Sequence, residues 1–208
     1  GWIAAHRDEP FFLYFATHDV HEPRVPHPRF RGRSPLGSRG DVIEELDWQA
    51  GAVLEALETH GLADRTLVVF SSDNGGPAPG TLTDNGRLRA GKNTLYEGGV
   101  RVAAFTTWKG RLRPGTIVSQ PLHMVDWYPT MLKLAGAGLA QKLPIDGRDA
   151  WPTIAEGKPS PHTELLLNAA PRAGAIRMGD WKLVLNGGYD ETEDIEAGRT
   201  SLAGTIGE

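Results

Sequence analysis

The sequence predicts an α/β fold: a sheet flanked by helices, followed by a small α+β lobe with an antiparallel sheet. Three observations carry this. Residues 11–16 and 66–71 are continuous apolar runs of strand length, the pattern of strands buried on both faces. Between them Ile43, Leu46, Ala50, Val53, Leu54 and Leu57 recur at helical spacing. From Thr163 the runs become shorter, and Gly179-Asp180 between two of them is a hairpin turn signal of type II′.

Phe11-Phe12-Leu13-Tyr14-Phe15-Ala16 leads into a polar exit, Thr17-His18-Asp19-Val20-His21-Glu22-Pro23. Pro23, Pro26, Pro28 and Pro35, with several arginines, make residues 23–40 a long ordered loop. Asp41 is placed to cap the helix that follows, with Glu44 three residues on. Gly61 stands where a glycine closes such a helix. Strand, loop, helix, strand is the order of a parallel pair joined by a right-handed crossover. Residues 72–99 are rich in Gly, Asn and Thr and too long for a passive connector. Residues 100–108 read as a further strand, and 129–135 as a short helix with proline in its first turn and Gly136 behind it. Residues 164–167, 175–178 and 181–185 read as antiparallel strands. The chain thus divides into an α/β domain over 1–158, a small antiparallel subdomain over 159–189, and an acidic, aperiodic, loose tail over 190–208.

Composition removes several classes. The 208 residues are enough for one sizeable core. With 22 Lys+Arg against 26 Asp+Glu and no basic block, the electrostatic footprint of a nucleic-acid binder is missing. No apolar run approaches the roughly 18 residues of a membrane span. The chain has no cysteine, so disulfides, a thiol nucleophile and thiolate zinc sites are excluded within it. The 26 glycines and 15 prolines indicate a loop-rich domain.

Four segments could carry chemistry. Asp73-Asn74 follows a strand end, where ligands bind in open α/β sheets, and offers hard oxygens suited to Ca²⁺ or Mg²⁺. Asp-Asn-Gly-Gly is equally good turn chemistry. His18 and His21, at another strand exit, could bind a metal, donate a proton or contact an anion, or could simply be surface polar residues. Gly86 to Asn93 nearly spells a phosphate-binding P-loop but has Asn93 where Ser or Thr must hold Mg²⁺, and no strand directly before it. Lys92 with Arg87 and Arg89 still makes a cationic loop fit for a tetrahedral oxyanion. Tyr96-Glu97-Gly98-Gly99-Val100-Arg101 leads into a strand, and its paired glycines suit close backbone approach or positive φ, a structural duty.

Read together, FFLYFATHDVHEPRVPHPRF (11–30), TLVVFSSDNGG (66–76), GRLRAGKNTLYEGGVR (86–101), HMVDWYPTMLKLAG (123–136), LPIDGRD (143–149) and IRMGDWKLV (176–184) resemble the sulfatase family. These are formylglycine-dependent sulfuric ester hydrolases of the alkaline-phosphatase superfamily, and the fold implied is part of an alkaline-phosphatase-like sheet. By this resemblance Asp73 and Asn74 fall on ligands for a divalent ion, usually calcium, with Mg²⁺ as an alternative. Lys92 falls on the lysine that grips the sulfate. His21 falls on the histidine at the bridging region, a candidate proton donor to the leaving oxygen. His18 matches more weakly, as part of the pocket wall, and Asp126 and Pro129 match a helix-heading structural position.

The resemblance implies hydrolysis of a small-molecule or glycan sulfate ester, in a family that is often periplasmic, secreted or lysosomal. The sequence departs from the family pattern in having no C/S-x-P-S-R motif to make the formylglycine, and no early Asp-Asp pair to complete the metal site. The expectation is therefore the C-terminal portion of a sulfatase, trimmed at both ends, with the nucleophile outside this chain. Alone, it is expected to be inactive and to bind Ca²⁺ weakly. The alternatives are a phosphomonoester, phosphodiester or phosphonate hydrolase of the same superfamily, and a non-catalytic fragment or pseudoenzyme.

Overall fold

A computed structural model describes residues 1–77, 80, 82–170 and 173–187. The order is α1 (Trp2–Ala5), α2 (Gly37–Thr59), β1 (Val68–Ser71), α3 (Glu97–Val100), β2 (Ala104–Thr107), α4 (Trp127–Leu134), α5 (Trp151–Glu156), β3 (Glu164–Ala170), β4 (Ala173–Met178) and β5 (Trp181–Leu185). The chain forms two compact units: Gly1–Val68 with Thr107–Leu112, and Val69–Thr106 with the residues from Arg113 onward. The acidic stretch 190–208 lies outside the described residues.

In the first unit α2 dominates. Phe30, Val42, Leu57 and Leu62 form its buried core, whereas Ile43 and Leu54 of the apolar stripe stay exposed. Asp41 does not cap α2, which starts four residues earlier at Gly37. Its carboxylate instead accepts from the backbone N–H of Gly32 at 2.7 Å and of Ser34 at 2.8 Å. Those loop amides have no helical partner, so a buried carboxylate on the first turns of the helix is the group that satisfies them. Gly40 helps by lacking a side chain: a Cβ there would lie 1.9 Å from Ser34 Oγ. The far end closes as expected, with Gly61 at φ 66°. Leu62 N–H donates to Leu57 O and Gly61 N–H to Glu58 O, a Schellman closure.

The expected strand at 11–16 does not form. The segment takes no regular secondary structure, with Phe12 73%, Tyr14 82% and Phe15 56% exposed. A strand exists through its ladder partners, and no described residue pairs with this one, so no parallel crossover links it to β1. Phe11, with its ring edge on Trp2 at 5.6 Å between centroids, is its one half-buried aromatic.

In the second unit β1 pairs with β2, and Phe70 stacks on Phe105 across them at 4.8 Å. The expected strand at 100–108 shortens to β2, because Glu97–Val100 closes a helical turn in front of it. Asp126 ends a 3₁₀ turn that runs into α4, and its buried carboxylate accepts from the backbone N–H of His123 and of Arg148, each at 2.8 Å. His162 Nε2 lies 2.8 and 2.9 Å from the same two oxygens.

Strands β3, β4 and β5 form an antiparallel sheet in that order, with Met178 opposite Trp181 across Gly179-Asp180 and Gly179 at φ 56°. Leu165, Ala175, Lys182 and Val184 are buried, Ala175 and Val184 packing with Tyr96. Leu166, Met178, Trp181, Leu183 and Leu185 are exposed.

The amides that Asp41 satisfies hold its carboxyl below the usual carboxylate range, Ser34 contributing most and Gly32 next, against an opposing push from burial. Its stabilisation is therefore full above the unfolded value of 3.8 and is lost as pH falls through the lower folded value. Asp41→Asn is expected to lower the melting temperature at neutral pH and to remove this part of the acid loss. Melting curves of the two proteins should converge in acid; a constant gap would contradict the assignment.

Candidate functional site

The chain leaves β1 at Ser71 and turns through Asp73, Asn74, Gly75 and Gly76. Ser72 Oγ donates to Asn74 O at 2.9 Å, fixing the turn from inside. Gly75 N–H donates to Gly99 O at 2.9 Å, and Lys92 N–H donates to Gly76 O at 3.1 Å. Gly98 N–H donates to Arg89 O at 2.7 Å. Three segments that the sequence marks separately therefore meet backbone to backbone: the Asp73-Asn74 turn, the Lys92 loop and the Glu97-Gly98-Gly99 turn.

Glycine is required at that meeting for space. A Cβ on Gly75 would sit 1.6 Å from Gly98 O, one on Gly98 2.1 Å from Ala90 O, and one on Gly99 2.2 Å from Thr94 O. The Lys92 loop itself is tightly wound, with Ala90 at φ 57° and Asn93 at φ 69°. Arg89 is engaged by the loop's own aromatic residue, its guanidinium 3.9 Å above the ring of buried Tyr96. Arg87 is exposed and Lys92 half-buried.

Two residues hold this cluster: Asn85, which sequence reasoning passed over, and Glu97, whose segment it marked for its glycines alone. Asn85 bonds with its side-chain amide to Gly76 and to Ala90. Glu97 accepts from Lys182 Nζ at 2.9 Å and from Arg177 at 3.3 Å, with Arg101 at 3.9 Å. Lys182 carried a signal in the sequence: period-two alternation puts it on the same face of its strand as Val184, a position that demands a buried anion. Asn85 carried only an Asn-Gly turn signal.

His18 and His21 belong to the first unit, whereas Asp73, Asn74 and Lys92 belong to the second. Both histidines are exposed. His21 Nδ1 lies 2.9 Å from Glu22 O. A carbonyl only accepts, so Nδ1 carries the proton there. His18 Nε2 approaches Pro23 O at 3.4 Å, a weaker bond.

For a metal, Asp73 is exposed and Asn74 half-buried, and both offer the hard oxygens that Ca²⁺ or Mg²⁺ takes. Among the described residues no three or more His, Asp or Glu side chains converge as a metal cage. The donors fit a hard cation in kind but not in number, since Ca²⁺ takes about six to eight oxygens. Two open clefts elsewhere, about 580 Å³ beside Phe30 and Trp48 and about 280 Å³ beside His162 and Arg177, are lined by none of the residues singled out for chemistry.

Gly75→Ala and Gly98→Ala should each cost at least about 2 kcal/mol in denaturant unfolding, because the added carbon meets backbone that cannot give way. Gly86→Ala, at φ 61° with open space around it, should cost only about 1 kcal/mol. Equal losses at all three positions would contradict the packing argument.

The family model described as Sulfatase matches residues 1–137. Steryl-sulfatase of Mus musculus is 41% identical over 160 residues, covering 74% of this chain and 26% of the relative. N-acetylgalactosamine-6-O-sulfatase of Bacteroides thetaiotaomicron is 33% identical over 196 residues, covering 88% of this chain and 38% of the relative. The crystal structure of the PsFucS1 sulfatase from Pseudoalteromonas sp. superposes with a TM-score of 0.84 at 27% identity, over 99% of this chain and 43% of that one. The chain thus spans 26% to 43% of the length of these three proteins.

Proposed function

The chain belongs to the sulfatase family, and on that premise we propose that Asp73, Asn74 and Lys92 are its share of a site that hydrolyses sulfate esters, and that His21, on the strength of the family resemblance, is the proton donor of that reaction. The observation that carries this reading is the backbone packing of the Asp73-Asn74 turn against the Lys92 loop, through Gly75 to Gly99 and Lys92 to Gly76. It puts a pair of hard-oxygen donors and a cation on one rigid scaffold, which is what binding a tetrahedral dianion beside a divalent ion needs.

Cleaving a sulfate ester requires stabilising charge on the non-bridging oxygens and on the departing alkoxide or phenolate. Lys92 serves the first need by placing an ammonium at those oxygens. Asp73 and Asn74 would hold the divalent ion, Ca²⁺ or Mg²⁺, which when bound adds positive charge at the same oxygens. His21 serves the second need by donating a proton to the leaving oxygen. His18 contributes to the pocket wall. Residues 1–208 alone turn over no substrate, because the sequence has no nucleophile motif and the described residues hold no complete metal site. The alcohol is a small molecule or a glycan, and the two relatives above are named for a steryl and an N-acetylgalactosamine sulfate.

The test is an amide NMR titration of this chain with inorganic sulfate, then with phosphate, then with Ca²⁺. Sulfate is expected to shift Lys92 and its neighbours, an effect reduced at least about tenfold in Lys92→Ala. Calcium is expected to shift Asp73 and Asn74 only at roughly millimolar levels. No sulfate response at Lys92, or a clear preference for phosphate, would overturn the reading. Aryl sulfate hydrolysis by the purified chain would overturn the claim that it is inactive by itself.

A further inference from the structure

Resting on the reading that Asp73, Asn74 and Lys92 share one site, we propose that Asn85 is the positioning residue that sets their spacing. Its amide lies against the peptide of Gly76 as one strand lies against another. Oδ1 accepts from Gly76 N–H at 3.1 Å and Nδ2 donates to Gly76 O at 3.1 Å. Nδ2 also donates to Ala90 O at 2.9 Å. Gly76 stands two residues after Asn74, and Ala90 two residues before Lys92. One half-buried side chain therefore links the ligand turn to the start of the cationic loop at three points.

The surroundings are cut to this amide. A Cβ on Gly76 would lie 2.8 Å from Asn85 Oδ1 and 2.7 Å from Thr83 Oγ1, so the glycine admits the clasp. Ala90, whose carbonyl Asn85 holds, sits in the left-handed region at φ 57°, a conformation that a non-glycine residue keeps only under external constraint. Asn85 is anchored from its own side, since Asp84 Oδ1 accepts from Gly86 N–H at 2.7 Å and closes the adjoining turn. Only an amide supplies an acceptor and two donors in one plane. Aspartate has the same shape but no donor, and its carboxylate would face two carbonyl oxygens. Asn85 thus acts through Gly76 and Ala90, not on the substrate.

The experiment compares this chain with Asn85→Asp and Asn85→Ala, reading amide hydrogen exchange and an NMR titration with inorganic sulfate. The informative amide is Lys92 N–H, which donates to Gly76 O and is not bonded to Asn85. It is expected to exchange about tenfold faster in both variants, and the sulfate midpoint at Lys92 to rise about tenfold, while β3, β4 and β5 keep their protection. Unchanged Lys92 exchange and an unchanged sulfate midpoint in folded Asn85→Asp would overturn the proposal. So would loss of sheet protection in both variants, because Asn85 would then hold the fold and not the spacing. A wild-type chain without any sulfate response would instead overturn the functional reading, and the Lys92 exchange comparison would still decide the clasp.

Discussion

A half-buried carboxylate met by three cations, Lys182, Arg177 and Arg101, fixes the second unit. Glu97, with its side chain 18% exposed, accepts from Lys182 Nζ at 2.9 Å, and Lys182 is itself only 5% exposed. An ammonium at that depth is tolerated when an anion meets it and is costly otherwise. The pair also sets register. Strand β5 buries Lys182 and Val184 and exposes Trp181, Leu183 and Leu185. Apolar burial alone would favour the opposite face, so the charge pairing outweighs the simple hydrophobic pattern here.

From that pair a chain of contacts runs to the candidate site. Glu97 opens the helical turn that carries Gly98 and Gly99, and these meet Arg89 and Gly75 through backbone hydrogen bonds. The segment that holds Lys92 and the turn that holds Asp73 and Asn74 are thus placed by peptide groups, with Asn85 as the side-chain clasp between them. Glycine where two peptides touch and a charge pair behind them give a closely packed scaffold, which the proposed anion site requires.

The sequence made some of this legible and concealed the rest for physical reasons. The antiparallel strands from residue 164 and the glycine-closed helix ending at residue 59 follow from periodicity and turn chemistry, which act locally. The run at 11–16 looked like a buried strand because burial was inferred from composition, whereas a strand depends on partners elsewhere in the chain. Asp41 carried the right residue type for a cap but serves the preceding loop, since two orphan amides lie within its reach. Glu97 to Lys182 spans 85 positions, a separation at which no local pattern operates. At the site, resemblance to a family pointed to Lys92, Asp73 and Asn74 together; residue chemistry alone left each of them open to a bland reading.

The most direct test of this account is a double-mutant cycle on Glu97→Gln and Lys182→Met, read by urea unfolding. The account predicts a coupling of about 2 kcal/mol, with each single change severely destabilising and the double change less damaging than their sum. Additive losses, agreeing within about 0.5 kcal/mol, would show that the pair does not organise the unit.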